Sequence, residues 1–153
     1  CNKIFKLCNE QNPLLSKERP LSVKRVALPG SEEERVLLIA EFENFVAVST
    51  HFSLTKEDRI ASAKILIEEA IMYDKPMLVG GDFNAEPGSQ TIELLNGYFS
   101  MLSDETAFTF PADNPDRCID YIFGKNFIAV EDLVAEERVA SDHRPVVVQV
   151  VAE

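Results

Sequence analysis

Apolar and polar positions along this chain follow two periods, one of about two residues and one of about 3.6. Leu21–Leu28 alternates in part, with Val23, Arg25 and Ala27 on one side and Lys24, Val26 and Leu28 on the other. Pro29-Gly30 then marks a turn. Val36–Phe42 and Phe45–Thr50 are β-rich runs separated by Glu43-Asn44, a pattern that predicts a hairpin. In Lys56–Tyr73, Ile60, Ala63, Ile67, Ala70 and Ile71 recur at helical spacing and predict a helix with one apolar stripe. Thr55 followed by Asp58 has the form of a capping box, and Pro76 is the expected stop signal. Met77–Gly81, a short apolar run ending in two glycines, predicts a buried strand, and Ser89–Leu95 a short helix closed by Gly97. Cys118–Phe123, Phe127–Val134 and Val146–Val151 complete the predicted strands. Residues 1–20 read as an irregular segment with room for one short edge strand at Leu14-Leu15, and residues 21–153 as the folded part. Strands, helix, strand, helix, strands is the order of an α/β sheet layered with helices.

Composition narrows the class. With 153 residues, 46% of them hydrophobic, the chain can bury the core of one domain and is too apolar for disorder. No apolar run approaches the roughly 18 residues that span a bilayer, and no cleavable leader pattern is visible. The formal net charge of −11 argues against an extended duplex footprint, which needs basic surface, and suits a cation site or a small phosphoester. Cys1, Cys8 and Cys118 match no zinc spacing and are expected to be plain thiols. A lipid anchor on Cys1, as in a mature bacterial lipoprotein, is the other reading of that residue. Because the sequence does not start with Met, a fragment or a processed product is expected.

Four short segments at strand ends carry the candidate chemistry: Ser49-Thr50-His51, Gly81-Asp82-Phe83-Asn84, Ile119-Asp120-Tyr121 and Ser141-Asp142-His143-Arg144-Pro145. If strand geometry continues through Asp82 and Asn84, a carboxylate and an amide face the same way, a donor set for Mg²⁺, Mn²⁺ or Ca²⁺. The competing reading is an Asx turn leading into Pro87-Gly88. Gly80 and Gly81 leave room for another backbone or a ligand. Asp142 and His143 precede a terminal strand that Pro145 can open, and they could serve as metal ligand and phosphate-facing imidazole, or as an ordinary turn. Asp120 sits in an apolar strand and needs a partner if it is buried, for which a histidine is the obvious choice; otherwise it is an exposed edge residue. His51 ends a strand, where a structural role is the commoner one. Yet the chain has two histidines, and both fall in these segments.

The ordered set of TH, GDFN, IDY and SDHRP, each beside an apolar strand, resembles the endonuclease/exonuclease/phosphatase family. That family includes abasic-site endonucleases, pancreatic-type deoxyribonucleases, sphingomyelinases, inositol-phosphate phosphatases and deadenylases. The resemblance runs from about Leu14 to the end, and Phe108-Thr-Phe-Pro111 is similar to the family's substrate-side loop. It implies the C-terminal half of a four-layer α/β-sandwich, a mixed sheet with helices on one face. It further implies a phosphoester hydrolase dependent on Mg²⁺ or Mn²⁺, or on Ca²⁺, acting by in-line attack of water on phosphorus. In that frame Asp82 aligns or deprotonates the water. Asn84 binds the scissile phosphate or the metal shell, and Asp142 is metal-linked. His143 contacts the phosphate or the water, Asp120 orients His143, and His51 is the second phosphate-binding histidine. The substrate is a small phosphoester, a lipid headgroup or a nucleic acid, with acidity tilting the choice away from long DNA.

The family's first half supplies an Asn, the principal metal-binding Glu and an acid that orients the first histidine, and residues 1–20 contain none of these motifs. Two readings follow. One is a hydrolase domain completed by further sequence or by self-association, as a homodimer through the exposed sheet face. The other is a catalytically incomplete half-domain that acts as a folded interaction module. A plain Ca²⁺-binding surface domain would need more clustered acidic ligands than GDFN offers.

Overall fold

The computed structural model describes residues 5–7 and 13–153. The elements run β1 (Phe5–Leu7), β2 (Leu14–Ser16), β3 (Ser22–Leu28), β4 (Arg35–Glu41), β5 (Val46–His51), α1 (Lys56–Ile71), β6 (Met77–Asp82), α2 (Gln90–Asn96), β7 (Ser100–Met101), β8 (Asp120–Lys125), β9 (Phe127–Val134) and β10 (Val146–Ala152). A six-stranded mixed sheet has the order β3-β4-β5-β6-β8-β7, while β1–β2 and β9–β10 are separate antiparallel pairs. β5 and β6 are parallel, and α1 is the crossover that such a pair requires. The expected α/β architecture is therefore present, with two helices and a mixed sheet.

Period-two burial explains how the layers meet. Val46 and Val48 of β5, Met77 and Val79 of β6, and Tyr121 and Phe123 of β8 share one cluster with Ala63, Leu66 and Ala70 of α1 and Ile92 and Leu95 of α2. Both helices thus cover one face of the sheet. Residues of the opposite parity, among them Ser49, His51, Gly80, Asp82, Asp120 and Ile122, face the other side. There β10 approaches β8, and a groove of about 410 Å³ opens between them, lined by Gly80, Asp82, Asp120, Ile122, His143 and Val146 among others.

Four local expectations change. Segment 1–20 is not irregular throughout, because β1 and β2 pair along it. Thr55 is the N-cap of α1, but its side chain makes no capping bond. Buried Ser53 instead binds the Asp58 carboxylate at 3.1 Å, so the predicted box is replaced by a contact from outside the helix. The buried line of α1 is Ser62, Ala63, Leu66 and Ala70, and Ile71 is exposed in the last turn. The two-residue strand β7 gave no periodic signal because two positions cannot display one. Cys1 and Cys8 lie outside the described residues, whereas Cys118 is a buried free thiol that burial pushes up to about 11.

Candidate active site

Strand register builds the site. His51, the last residue of β5, is the Cα partner of Asp82, the last residue of β6. Asp82 is in turn the partner of Asp120, the first residue of β8. Residues in register project to the same face of a sheet, so three strand ends place an imidazole and two carboxylates in one row. Gly81 makes the β5–β6 approach possible, since a Cβ there would lie 2.0 Å from the Thr50 carbonyl oxygen. Beneath the row, Phe83 packs edge-on against Phe52, Tyr121 and Phe123 with centroid distances of 4.9, 5.9 and 5.2 Å. The Tyr121 hydroxyl lies 2.7 Å from the Cys118 carbonyl and 2.9 Å from that of Ala85, tying the base of β8 to the loop after β6.

The loop before β10 lays His143 across this row. Its Nδ1 is 2.8 Å from Asp120 Oδ2, and its Nε2 is 3.8 Å from Asp82 Oδ2. His51 Nε2 reaches the same Asp82 oxygen at 3.2 Å. Burial disfavours a charged His143, but its hydrogen bond to Asp120 and the charges of Asp120, Asp82 and Asp142 outweigh that and hold its pKa above the ordinary value. Burial holds Asp120 above its ordinary value too, against the hydrogen bonds from Thr109 and His143 and with help from the charge of Asp82. A carboxylate can only accept, so the ionised Asp120 fixes the proton of neutral His143 on Nδ1 and leaves Nε2 facing the groove. Phe110 stacks against His143 with centroids 4.6 Å apart, and Arg117 lies 4.8 Å above the Phe110 ring.

The match of residues 12–143 to the model of the Endonuclease/Exonuclease/phosphatase family spans most of the chain and covers all four motifs. This chain belongs to that family. The fold is shared with an endonuclease/exonuclease/phosphatase from Bacteroides vulgatus at a TM-score of 0.79 and 22% identity, covering 92% of this chain and 70% of that one. It is also shared with a mannosyl-6-phosphatase of Bacteroides thetaiotaomicron at a TM-score of 0.72 and 20% identity, covering 87% and 67%. A TDP2 of D. rerio, humanized by 14 mutations, aligns at a TM-score of 0.79 and 14% identity, covering 98% and 76%. The chain therefore spans about two thirds to three quarters of these three structures, more than the half expected from the motifs. No curated protein matches the sequence.

For an endonuclease/exonuclease/phosphatase chain, the structure brings His51, Asp82, Asp120 and His143 together, with Asn84 beside them. Asn84 does not continue the strand. β6 stops at Asp82, and Asn84 has a φ of 48°, so its backbone N–H turns back to Asp82 Oδ1 at 2.7 Å. This is the Asx turn weighed above, and it orients the carboxylate. The Asn84 side-chain amide nitrogen donates to the Phe52 carbonyl at 2.9 Å, which leaves its oxygen end as the acceptor. Asp142 stands apart: its side chain is exposed, and it lines a second cavity of about 420 Å³ with Asp113 and Arg138. Ligand atoms of Asp82, Asp120 and His143 lie within 4.8 Å of one another. Two carboxylates and an imidazole fit a hard divalent cation that keeps most of its waters. Sequence reasoning missed Thr109, Phe110 and Ser53, because their partners are distant in sequence and no motif marks them.

Proposed function

We propose that this groove hydrolyses phosphoester bonds by in-line attack of water on phosphorus, with Mg²⁺ or Mn²⁺ as cofactor. The observation that carries the reading is the convergence of two imidazoles on one carboxylate, with the second carboxylate fixing the tautomer of His143. Asp82, its orientation set by Asn84, aligns the attacking water and takes its proton. His51 and His143 donate to the non-bridging phosphoryl oxygens from two sides. Asp120 keeps the His143 ring in place and favours its protonated form, the better donor to an anion. Asp82 and the amide oxygen of Asn84 would hold the cation, which when bound neutralises charge on the phosphoryl and leaving oxygens. The acidic chain and open groove suit a small phosphoester or a lipid headgroup better than long DNA.

Chromogenic phosphomonoester and phosphodiester substrates, assayed with Mg²⁺, Mn²⁺ and chelator, test the proposal. The expected result is metal-dependent turnover that falls by about 10²–10⁴-fold in His143→Ala, the usual loss for a proton-handling group. No turnover with either metal, or equal turnover in the variant, would remove the hydrolase reading and restore that of an interaction module. A homodimer through the exposed sheet face is a separate proposal. It is supported by the half-exposed pairs Leu133–Val147 and Ile128–Val151 on one side of the β9–β10 hairpin. A monodisperse monomer in sedimentation velocity would rule it out.

A further inference from the structure

Thr109 lies between Phe108 and Phe110 in the loop that the motif reading assigned to the substrate side. It does not face substrate: it is fully buried, whereas Phe108 is half exposed. Its hydroxyl donates to Asp120 Oδ2 at 2.6 Å, the same oxygen that accepts from His143 Nδ1 at 2.8 Å. The hydroxyl oxygen in turn accepts from the backbone N–H groups of Ile119 at 3.2 Å and Asp120 at 3.3 Å. A hydroxyl offers one proton and two acceptor sites, so this one is fully engaged and its direction is fixed.

The main chain of Thr109 is equally committed. Its N–H donates to the Arg117 carbonyl at 2.8 Å, and its carbonyl accepts from Arg144 N–H at 2.8 Å. Arg144 follows His143 directly in sequence. Thr109 therefore holds the partner of the His143 ring through its side chain and the backbone beside His143 through its carbonyl. A threonine that only filled core volume would not need a charge-assisted bond to a carboxylate at the edge of a groove.

We infer that Thr109 is a positioning residue, which sets the orientation of His143 through Asp120 without touching substrate. The kinetic part of the test rests on the hydrolase reading; the spectroscopic part does not. Thr109→Val removes the hydroxyl at nearly constant shape, and Thr109→Ser keeps it. In a hydrolase the first lowers kcat by about 10–100-fold, the usual effect of deleting a residue that orients another, with KM unchanged, and the second restores it. Imidazole ¹H–¹⁵N spectra are simple here because the chain has two histidines, and His143→Gln identifies the signals. In the unsubstituted protein, a slowly exchanging Thr109 hydroxyl proton is expected with a cross-relaxation contact to the His143 Nδ1 proton, since both are donated to one oxygen. That contact needs no variant to fold, and its absence overturns the inference. In Thr109→Val the Nδ1 proton signal is expected to broaden or disappear. A signal and kcat unchanged in Thr109→Val, or an equal loss in Thr109→Ser, would also overturn it. If the unsubstituted chain shows no turnover while the hydroxyl contact is present, the hydrolase reading fails and the positioning role stands.

Discussion

Adjacent glycines in β6 should respond in opposite directions to the same small change. A Cβ at Gly81 would lie 2.0 Å from Thr50 O and 2.9 Å from Thr50 C, both backbone atoms of β5. No rotamer can relieve a clash with backbone, so the β5 and β6 chains must part by about 1 Å or more where His51 meets Asp82. Overpacking of this kind costs about 1–3 kcal/mol. Weakening one or two ladder hydrogen bonds adds about 1 kcal/mol each. Gly81→Ala should therefore lose about 3 kcal/mol, which lowers Tm by about 6–12 °C for a chain of this size. At Gly80 the nearest atoms to a new Cβ are Ile122 Cγ1 at 3.8 Å and Tyr121 O at 4.0 Å, ordinary contact distances. Gly80→Ala should be neutral or gain up to about 1 kcal/mol, because it restricts the unfolded chain. Thermal and urea unfolding of the two variants side by side is the assay. Equal shifts, or a Gly81→Ala protein as stable as the parent, would refute the argument that strand approach at Thr50 demands glycine.

Three further outcomes follow from the same geometry. Tyr121→Phe should cost about 1–2 kcal/mol in urea unfolding, because the buried Cys118 and Ala85 carbonyls lose their hydroxyl donor; no change would mean that other donors replace it. Stability of the metal-free chain should fall as pH rises. The raised pKa of His143 contributes stability that is complete below its ordinary 6.5 and is lost as pH climbs through the folded value. The raised pKa of Asp120 acts with the same sign from its ordinary 3.8 upward, since the fold favours its neutral form. His143→Gln should flatten the upper step, and an unaltered profile in that variant would contradict the assignment. Mg²⁺ or Mn²⁺ should raise Tm by mass action, by about 2.7 kcal/mol of stability at a hundredfold excess over Kd, and Asp82→Asn should abolish most of that rise in a thermal-shift titration.

Much of the fold was legible because hydrophobic periodicity is a local property. The α1 helix, the three strands β4, β5 and β6 and the terminal β9–β10 pair were each placed to within two residues at each end, since burial of one face leaves its period in the sequence. The candidate residues were legible for a related reason: a carboxylate or imidazole at the end of an apolar run stands out chemically. Their mutual placement was not. His51, Asp82 and Asp120 form a row because β8 enters the sheet beside β6 in a particular register, a choice made by packing between segments far apart in sequence. Asn84 left the strand path because the Asp82 carboxylate captured its backbone N–H, and Asp142 pointed away from the cluster while its neighbour His143 pointed in. The alternation of side-chain direction along a chain fixes which neighbours diverge, but only the assembled loops decide which of them meets the site. Thr109 is the clearest case. One hydroxyl between two aromatic residues carries no signal in sequence, and it acquires its role only where Asp120, Arg117 and Arg144 converge on it, a meeting that long-range packing creates and local propensity cannot encode.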